Sequence, residues 1–373
     1  MPPHGSGPAA LAAGTAPPQQ SAPPQQGAQP QVSPPAPTST GEVSAANPAG
    51  FFVTRSGVAM GTLVQLRVFV EGEPSAQIDD AVGAKIDRAF AEIRRLEGLM
   101  TTWRPESEIS RVNAAAGRAA VPVSPEVFSV VQESINYSRR SGGAFDISFY
   151  ALKGLWHFDD DLRPELPNPE EIKRRLPLIG WKQIRLNPKD HTIMLGKPGM
   201  AINLGGIGKG YAVDAAVRVL RDLGLRNGMV QAGGDLMLFG SKAGQPFVAG
   251  IRDPRGNAGD YFAVCPVRDH AFSTAGDYER GFVKDGTRYH HILDPRTGYP
   301  ARAARSVTVY AKDATTADGL DDAILIMGPE RGMQLIDSIP DAGAIIVDAK
   351  NQVHISKRLQ GMVRIVHPPT PGV

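Results

Sequence analysis

Apolar and polar positions along the chain recur with two different periods. Between Val58 and Val70, the residues Val64, Leu66 and Val68 fall on every second position, the period of a half-buried strand. Beyond Ser75 the spacing changes. Ile78, Val82, Ile86, Phe90, Ile93 and Leu96 lie three or four apart, which predicts a helix opened by Ser75. Ser124-Pro125 joins a capping hydroxyl to a proline suited to the first helical position, ahead of Val127, Val130, Val131 and Ile135. Ala201–Leu204 predicts a short strand running into a glycine cluster, and Tyr211–Leu223 returns to helical spacing through Val213, Val217 and Leu220. Strand-like runs follow at Phe262–Val264, Val307–Tyr310, Ala344–Val347 and Met362–Val366, with a helix around Ala317–Met327. Strands and helices interleave without a strict βαβ repeat, which predicts an α+β or mixed-sheet α/β architecture.

Composition changes this picture at the start of the chain. Residues 1–48 hold 12 of the 32 prolines, no aromatic residue, and Glu42 as the single charge. Such a segment has too little apolar surface to offset its ordering entropy, so it is expected to be disordered, a Pro/Gln/Ala-rich extension before a domain at 49–366 and a tail at 367–373. The opening residues lack a basic stretch before an apolar one and do not read as a secretory leader, and no cysteine stands near the start for lipid attachment. No run of about 18 apolar residues is present, so no membrane-spanning helix is expected. The net charge of +2 comes from 40 basic and 38 acidic side chains. Without a basic block, nucleic acid is not an expected partner. One cysteine, Cys265, leaves no intramolecular disulfide and no Cys-based zinc cluster.

Four segments carry residues suited to chemistry. Asn203–Gly210 places four glycines and Lys209 among them at the entrance to a helix, where backbone N–H groups suit an anion. Its spacing is neither that of a Walker loop nor that of a dinucleotide fingerprint. Asp318 and Asp322 are four apart, so a helix turns both carboxylates the same way, a like-charge pair that is either a solvated acidic face or a site for a hard divalent cation that relieves the repulsion. His290-His291 precedes the turn Asp294–Gly298. Adjacent strand residues point to opposite faces, so one imidazole is expected to face outward. Gly142–Asp146, with Trp103 before it and Trp156 after it, offers aromatic rings beside a glycine turn, each ring serving either the core or a flat ligand.

Taken in order, these segments resemble the FAD:protein FMN transferases, the ApbE-like flavin transferases, over about residues 51–340. The resemblance runs through Met60-Gly61-Thr62, Met100–Asn113, Gly143–Asp146 with Leu155-Trp156, Leu204–Asp214, Gly233-Gly234-Asp235, Thr274–Tyr278, His291–Pro300 and Ala317-Asp318. It implies a T-fold-related, two-lobed α+β body with FAD held between the lobes. It also implies Mg²⁺-dependent cleavage of FAD, attachment of FMN through a phosphodiester to a Thr or Ser hydroxyl of a target flavoprotein, such as a subunit of a membrane redox complex, and release of AMP. Carried over residue by residue, the resemblance places Met60, Trp103, Ala144, Phe145, Asp146, Asn203, Lys209, His291 and Ile292 at the flavin nucleotide. It gives the metal a backbone carbonyl from Gly206, a carboxylate from Asp318, a backbone carbonyl from Asp321, and Asp322. The base that takes the acceptor proton is then His291, with Asp277 as the alternative, since histidine ordinarily titrates in the useful range.

The chain departs from the family pattern at Asn203, where aspartate is frequent, and at Asp322, where threonine is frequent. Members of the family are commonly exported or lipid-anchored, so the compartment stays open here. The same residues would also serve an FAD pyrophosphatase releasing FMN and AMP, or a protein that binds FAD without cleaving it.

Overall fold

The computed structural model describes residues 50–158 and 162–372, so the predicted N-terminal extension lies outside the described residues. The first strand prediction resolves into a hairpin, Gly50–Ala59 paired with Thr62–Glu71. Met60 and Gly61 form its two-residue turn with φ of 55° and 68°, the mirror-image turn that matches strand twist. Alternation by itself does not show this break, because apolar spacing resumes on the return strand.

The hairpin begins an eight-stranded antiparallel sheet, which continues through Gly228–Ala232, Asp235–Phe239, His270–Gly276, Ala304–Ala311, Gly343–Asp348 and Val353–Ile355. Three long helices cover one face: Ala76–Met100, Gly208–Asp222 and Ala314–Asp337. Ser75 and Ser124 cap their helices as expected, each hydroxyl accepting a backbone N–H from the residue three positions on. On the other face a small sheet of Phe247–Arg252, Tyr261–Val267 and Arg364–Ile365 closes a second core around Leu238, Phe262, Phe272 and Tyr310. Beyond it, residues 367–372 stay attached: Thr370 donates its N–H and hydroxyl to Asp253. The architecture is mixed α+β, as the interleaved pattern implies.

Two predicted elements change. Ala201–Leu204 forms no strand. The Asn113 side chain, reaching from 89 residues away, accepts from Ile202 N (2.8 Å) and donates to Ile202 O (2.9 Å), replacing the neighbour a strand would need. The helix predicted at 317–327 is longer, Ala314–Asp337, with a break at Gly328 (φ 79°) ahead of Pro329. Proline disfavours helical geometry in the residue before it, and glycine tolerates the alternative.

Candidate active site

The site forms where the glycine loop meets the helix Gly208–Asp222. That helix starts without a cap from its own N-cap residue; Gly208 N donates to Leu204 O (2.7 Å) and Gly210 N to the Asp318 carboxylate (2.8 Å). Asn203 shapes the loop, its Oδ1 accepting Gly205 N (2.7 Å) and its Nδ2 donating to Thr102 Oγ1 (3.2 Å). Tyr150 donates to the same threonine hydroxyl (3.0 Å). Beside Thr102, the Trp103 ring is 82% exposed, with Lys153 Nζ 5.8 Å from its centre. An aromatic ring this open contributes nothing to a core. The other flank of the loop is apolar: a Cβ at Gly208 would lie 3.7 Å from both Met60 Cε and Met100 Sδ. At Gly206 a Cβ would meet Asp322 Oδ2 at 3.1 Å and Phe145 Cε2 at 3.3 Å. The structure thus gathers Met60, Phe145, Asn203, Gly206, Lys209 and Asp322 around one loop.

Behind the loop lies an acidic cluster. Carboxylate oxygens of Asp235, Asp318 and Asp321 fall within 4.8 Å of one another, and all three residues are buried. Lys209 Nζ sits 3.1 Å from Asp235 and 3.1 Å from Asp318, and donates to Gly205 O (3.0 Å). Burial lowers the pKa of the Lys209 ammonium, but Asp235, Asp318 and Asp321 together outweigh it and hold the group above its ordinary value. One cation does not balance the carboxylates around it. Burial and the Asp235 charge push Asp318 well above the usual carboxylate range, and burial with the charges of Asp322 and Asp318 does the same to Asp321.

Ser273 makes the imbalance visible. Its hydroxyl lies 2.6 Å from Asp235 Oδ1 and 2.6 Å from Asp321 Oδ2. A hydroxyl donates one proton, so one of the two carboxyls must carry the other. An all-oxygen set of closely spaced acidic groups that hold protons for want of positive charge fits a hard divalent cation.

Of the residues carried over to the metal, Asp318 lies in this cluster. Asp321 enters with its side chain, where the family resemblance implied its backbone carbonyl. Asp322 borders the cluster on the side of Gly206. Asp235 has no counterpart among the predicted ligands.

The histidine pair departs from expectation. Neither ring faces outward: His290 is 2% exposed and donates from Nε2 to Ala301 O (2.7 Å), and His291 is half-buried with a buried Nδ1 that has no hydrogen-bond partner. The strand Thr287–His290 ends at His290, so alternation no longer applies to the next residue. Burial first, then the Arg280 and His290 charges, lower His291 to about 3. It is therefore neutral at physiological pH and does not titrate in the ordinary histidine range. Asp277, the alternative base, is bound on both oxygens by Arg255 (2.7 and 2.8 Å), and both side chains are about nine-tenths buried. That carboxylate is already committed.

Residues 60–346 match the ApbE family. The chain belongs to it. An FAD:protein FMN transferase of Treponema pallidum is 31% identical over 328 residues, 84% of this chain and 89% of that protein. An FAD:protein FMN transferase of Vibrio cholerae is 32% identical over 286 residues, 76% and 84% of the respective chains. Among solved structures, the ApbE protein of Thermotoga maritima superposes with a TM-score of 0.74 at 33% identity, over 84% of this chain and all of its own. The flavin transferase ApbE of Vibrio cholerae gives 0.72 at 29% identity, over 84% and 99%.

Within this ApbE fold, three of the residues carried over to the nucleotide are structural in their side chains. Asp146 caps the short helical turn Ile147–Leu152, with Oδ1 accepting Ser148 N and Oγ, and Oδ2 accepting Trp181 N. Ala144 and Ile292 are buried in the main core, where their side chains serve packing. Trp156 belongs to a separate aromatic cluster with Phe158, Phe282, Tyr289 and Tyr299. Asp235 and Ser273 were passed over as site residues. The signals were the Gly233-Gly234-Asp235 motif for Asp235 and, for Ser273, the run Ser273–Tyr278, which sets hydroxyls and a carboxylate around a glycine.

Proposed function

We propose that this ApbE-family chain is a Mg²⁺-dependent FAD:protein FMN transferase. The names of its relatives support the reading. The observation that carries it is the juxtaposition of Lys209, the glycine loop and three buried carboxylates within one ion's reach. A glycine loop whose backbone a ligand can approach closely and an ammonium suit the phosphates of a dinucleotide. The carboxylates suit the cation that accompanies them.

In the reaction, the hydroxyl oxygen of an acceptor Thr or Ser attacks the FMN-side phosphorus of FAD. The P–O bond to the AMP side breaks, its electron pair leaves with AMP, and a phosphodiester joins FMN to the target protein. Asp318, Asp321 and Asp235 would hold Mg²⁺, with Asp322 and the Gly206 carbonyl at its edge. When bound, the ion neutralises charge that develops on the pyrophosphate oxygens. Lys209 adds a fixed positive charge at the same place, held there by the carboxylates before the substrate arrives. Met60 and Phe145 line the loop, and Trp103 offers an open ring face for one of the flat rings of FAD. His291, neutral and with an unpartnered Nδ1, is the group left to receive the acceptor proton, since Asp277 is tied to Arg255.

The test is incubation of the full chain with FAD, Mg²⁺ and candidate flavoprotein subunits, followed by in-gel flavin fluorescence, intact mass and AMP release. Covalent FMN on the acceptor that depends on FAD and Mg²⁺ is expected. Free FMN and AMP without a flavinylated acceptor would make the chain a pyrophosphatase, and FAD that stays bound and intact would make it a binding protein.

A further inference from the structure

The helices Gly208–Asp222 and Ala314–Asp337 carry the charged groups of the site, Lys209 on one and Asp318, Asp321 and Asp322 on the other. Two rungs join them. At one, Gly210 N donates to Asp318 Oδ2 (2.8 Å). At the other, Asp214 Oδ1 accepts Ala314 N (2.8 Å), while its Oδ2 accepts Thr315 N (2.8 Å) and Thr315 Oγ1 (2.5 Å). Gly210 and Asp214 are one turn apart on the first helix, and Ala314 and Asp318 are one turn apart on the second, in reversed order. Paired rungs of this kind fix both the separation and the register of two helices. The first rung leaves no slack: a Cβ at Gly210 would stand 2.2 Å from Ala314 O.

Asp214 satisfies helix-start N–H groups as an N-cap does, but from the neighbouring helix. The helix already has its own N-cap, Asp313, whose Oδ1 accepts Thr316 N (2.7 Å). Stability of the helix end therefore does not account for Asp214 by itself. The consequence of its added rung is geometric. It stops the helix that bears Asp318 from sliding along the helix that bears Lys209, while Asp235 is held separately on the strand Asp235–Phe239.

We infer that Asp214 is a positioning residue for the metal-binding carboxylates, setting the register in which Asp318 and Asp321 meet Asp235. The inference rests on the proposed function, in which those carboxylates hold a divalent cation. Outer groups that orient ligands are typically worth about 10- to 100-fold in metal affinity.

The probe is Mn²⁺, titrated into the metal-free full chain and followed by the electron paramagnetic resonance of the free ion, with the melting temperature recorded alongside. In Asp214→Asn the amide keeps one acceptor oxygen and turns its NH₂ toward the remaining donors, so Mn²⁺ affinity should fall about tenfold or more. Asp313→Ala is the control, since it removes a cap from the same helix end without touching the rungs. Its melting temperature should fall while Mn²⁺ affinity stays within about twofold, as expected when only a local cap is lost. Equal weakening in both variants, or none in Asp214→Asn, overturns the inference. Should Asp214→Asn fail to fold, Thr315→Val removes a single bond to Asp214, and unchanged Mn²⁺ affinity there overturns it too. A wild-type chain that binds no Mn²⁺ overturns the metal reading itself, a result distinct from wild-type binding that Asp214→Asn leaves intact.

Discussion

Two buried charged regions of this protein lie close in sequence to its chemistry and behave in opposite ways. Arg255 and Asp277 pair one to one, bidentate, at 2.7 and 2.8 Å. Asp235, Asp318, Asp321 and Asp322 crowd around the single ammonium of Lys209. Burial is similar, so the difference lies in charge balance. Where charges cancel and both carboxylate oxygens are bonded, the pair is a structural bolt. Where negative charge is in excess, the carboxyls hold protons at a pH where they would ordinarily be ionised, and a cation from solution can take the place of those protons.

Breaking the bolt should give the largest effect on stability. Arg255→Ala leaves the Asp277 carboxylate buried without its partner, which typically costs about 3–5 kcal/mol. Urea denaturation should show that loss, and replacing both residues by apolar ones of similar volume should recover most of it. An Arg255→Ala protein as stable as the wild type would mean that Asp277 is free enough to return as the candidate base.

The matching change in the cluster should act on activity instead. Asp318→Ala removes one of the mutually repelling groups, so the metal-free protein should melt within a few degrees of wild type. FMN transfer, followed by intact mass, should drop about 10²- to 10³-fold, the scale seen when a group stabilising transition-state charge is lost. A large loss of metal-free stability would show that Asp318 belongs with the bolts.

His291→Ala is expected to cost about a hundredfold in transfer rate, the low end for general acid–base catalysis, because a weakly basic imidazole is a modest proton acceptor. FAD affinity, read from flavin fluorescence quenching, should change much less. Since burial holds His291 at about 3, the wild-type rate should show no limb near pH 6.5 that belongs to this residue. Such a limb, present in wild type and absent in the mutant, would contradict the buried, neutral ring.

The smallest effect is a pH dependence of stability that metal should erase. Asp318 is raised to about 7, by burial and Asp235, and Asp322 to about 6, chiefly by burial. The folded state therefore binds more protons than the unfolded chain between the ordinary carboxylate pKa and those values. Stability from these groups is complete below about pH 4 and is lost as pH rises toward 7. The metal-free melting temperature should fall across that window, and saturating Mg²⁺ should flatten the fall. A metal-free curve that rises with pH instead would mean the cluster is already balanced.

Much of this protein was legible from local pattern. The helices opened by Ser75 and Ser124, the glycine loop with Lys209, and the acidic turn at Asp318–Asp322 all announce themselves within a few residues. Periodicity, capping and backbone freedom act over one or two turns of chain, so they can be read without the fold. The order of the motifs along the chain carried the family as well.

What only the tertiary structure decided depends on residues far apart in sequence. Asn113 takes the part of a strand beside Ile202. Arg255 occupies Asp277, and Ser273 sits between Asp235 and Asp321. Asp214 bridges to a helix 100 residues later. The ionisation of His291 and of the carboxylates was equally out of reach, because a pKa is set by burial and by whichever charges the fold brings near. A residue's type fixes what chemistry it can perform, but its surroundings decide whether that chemistry is available.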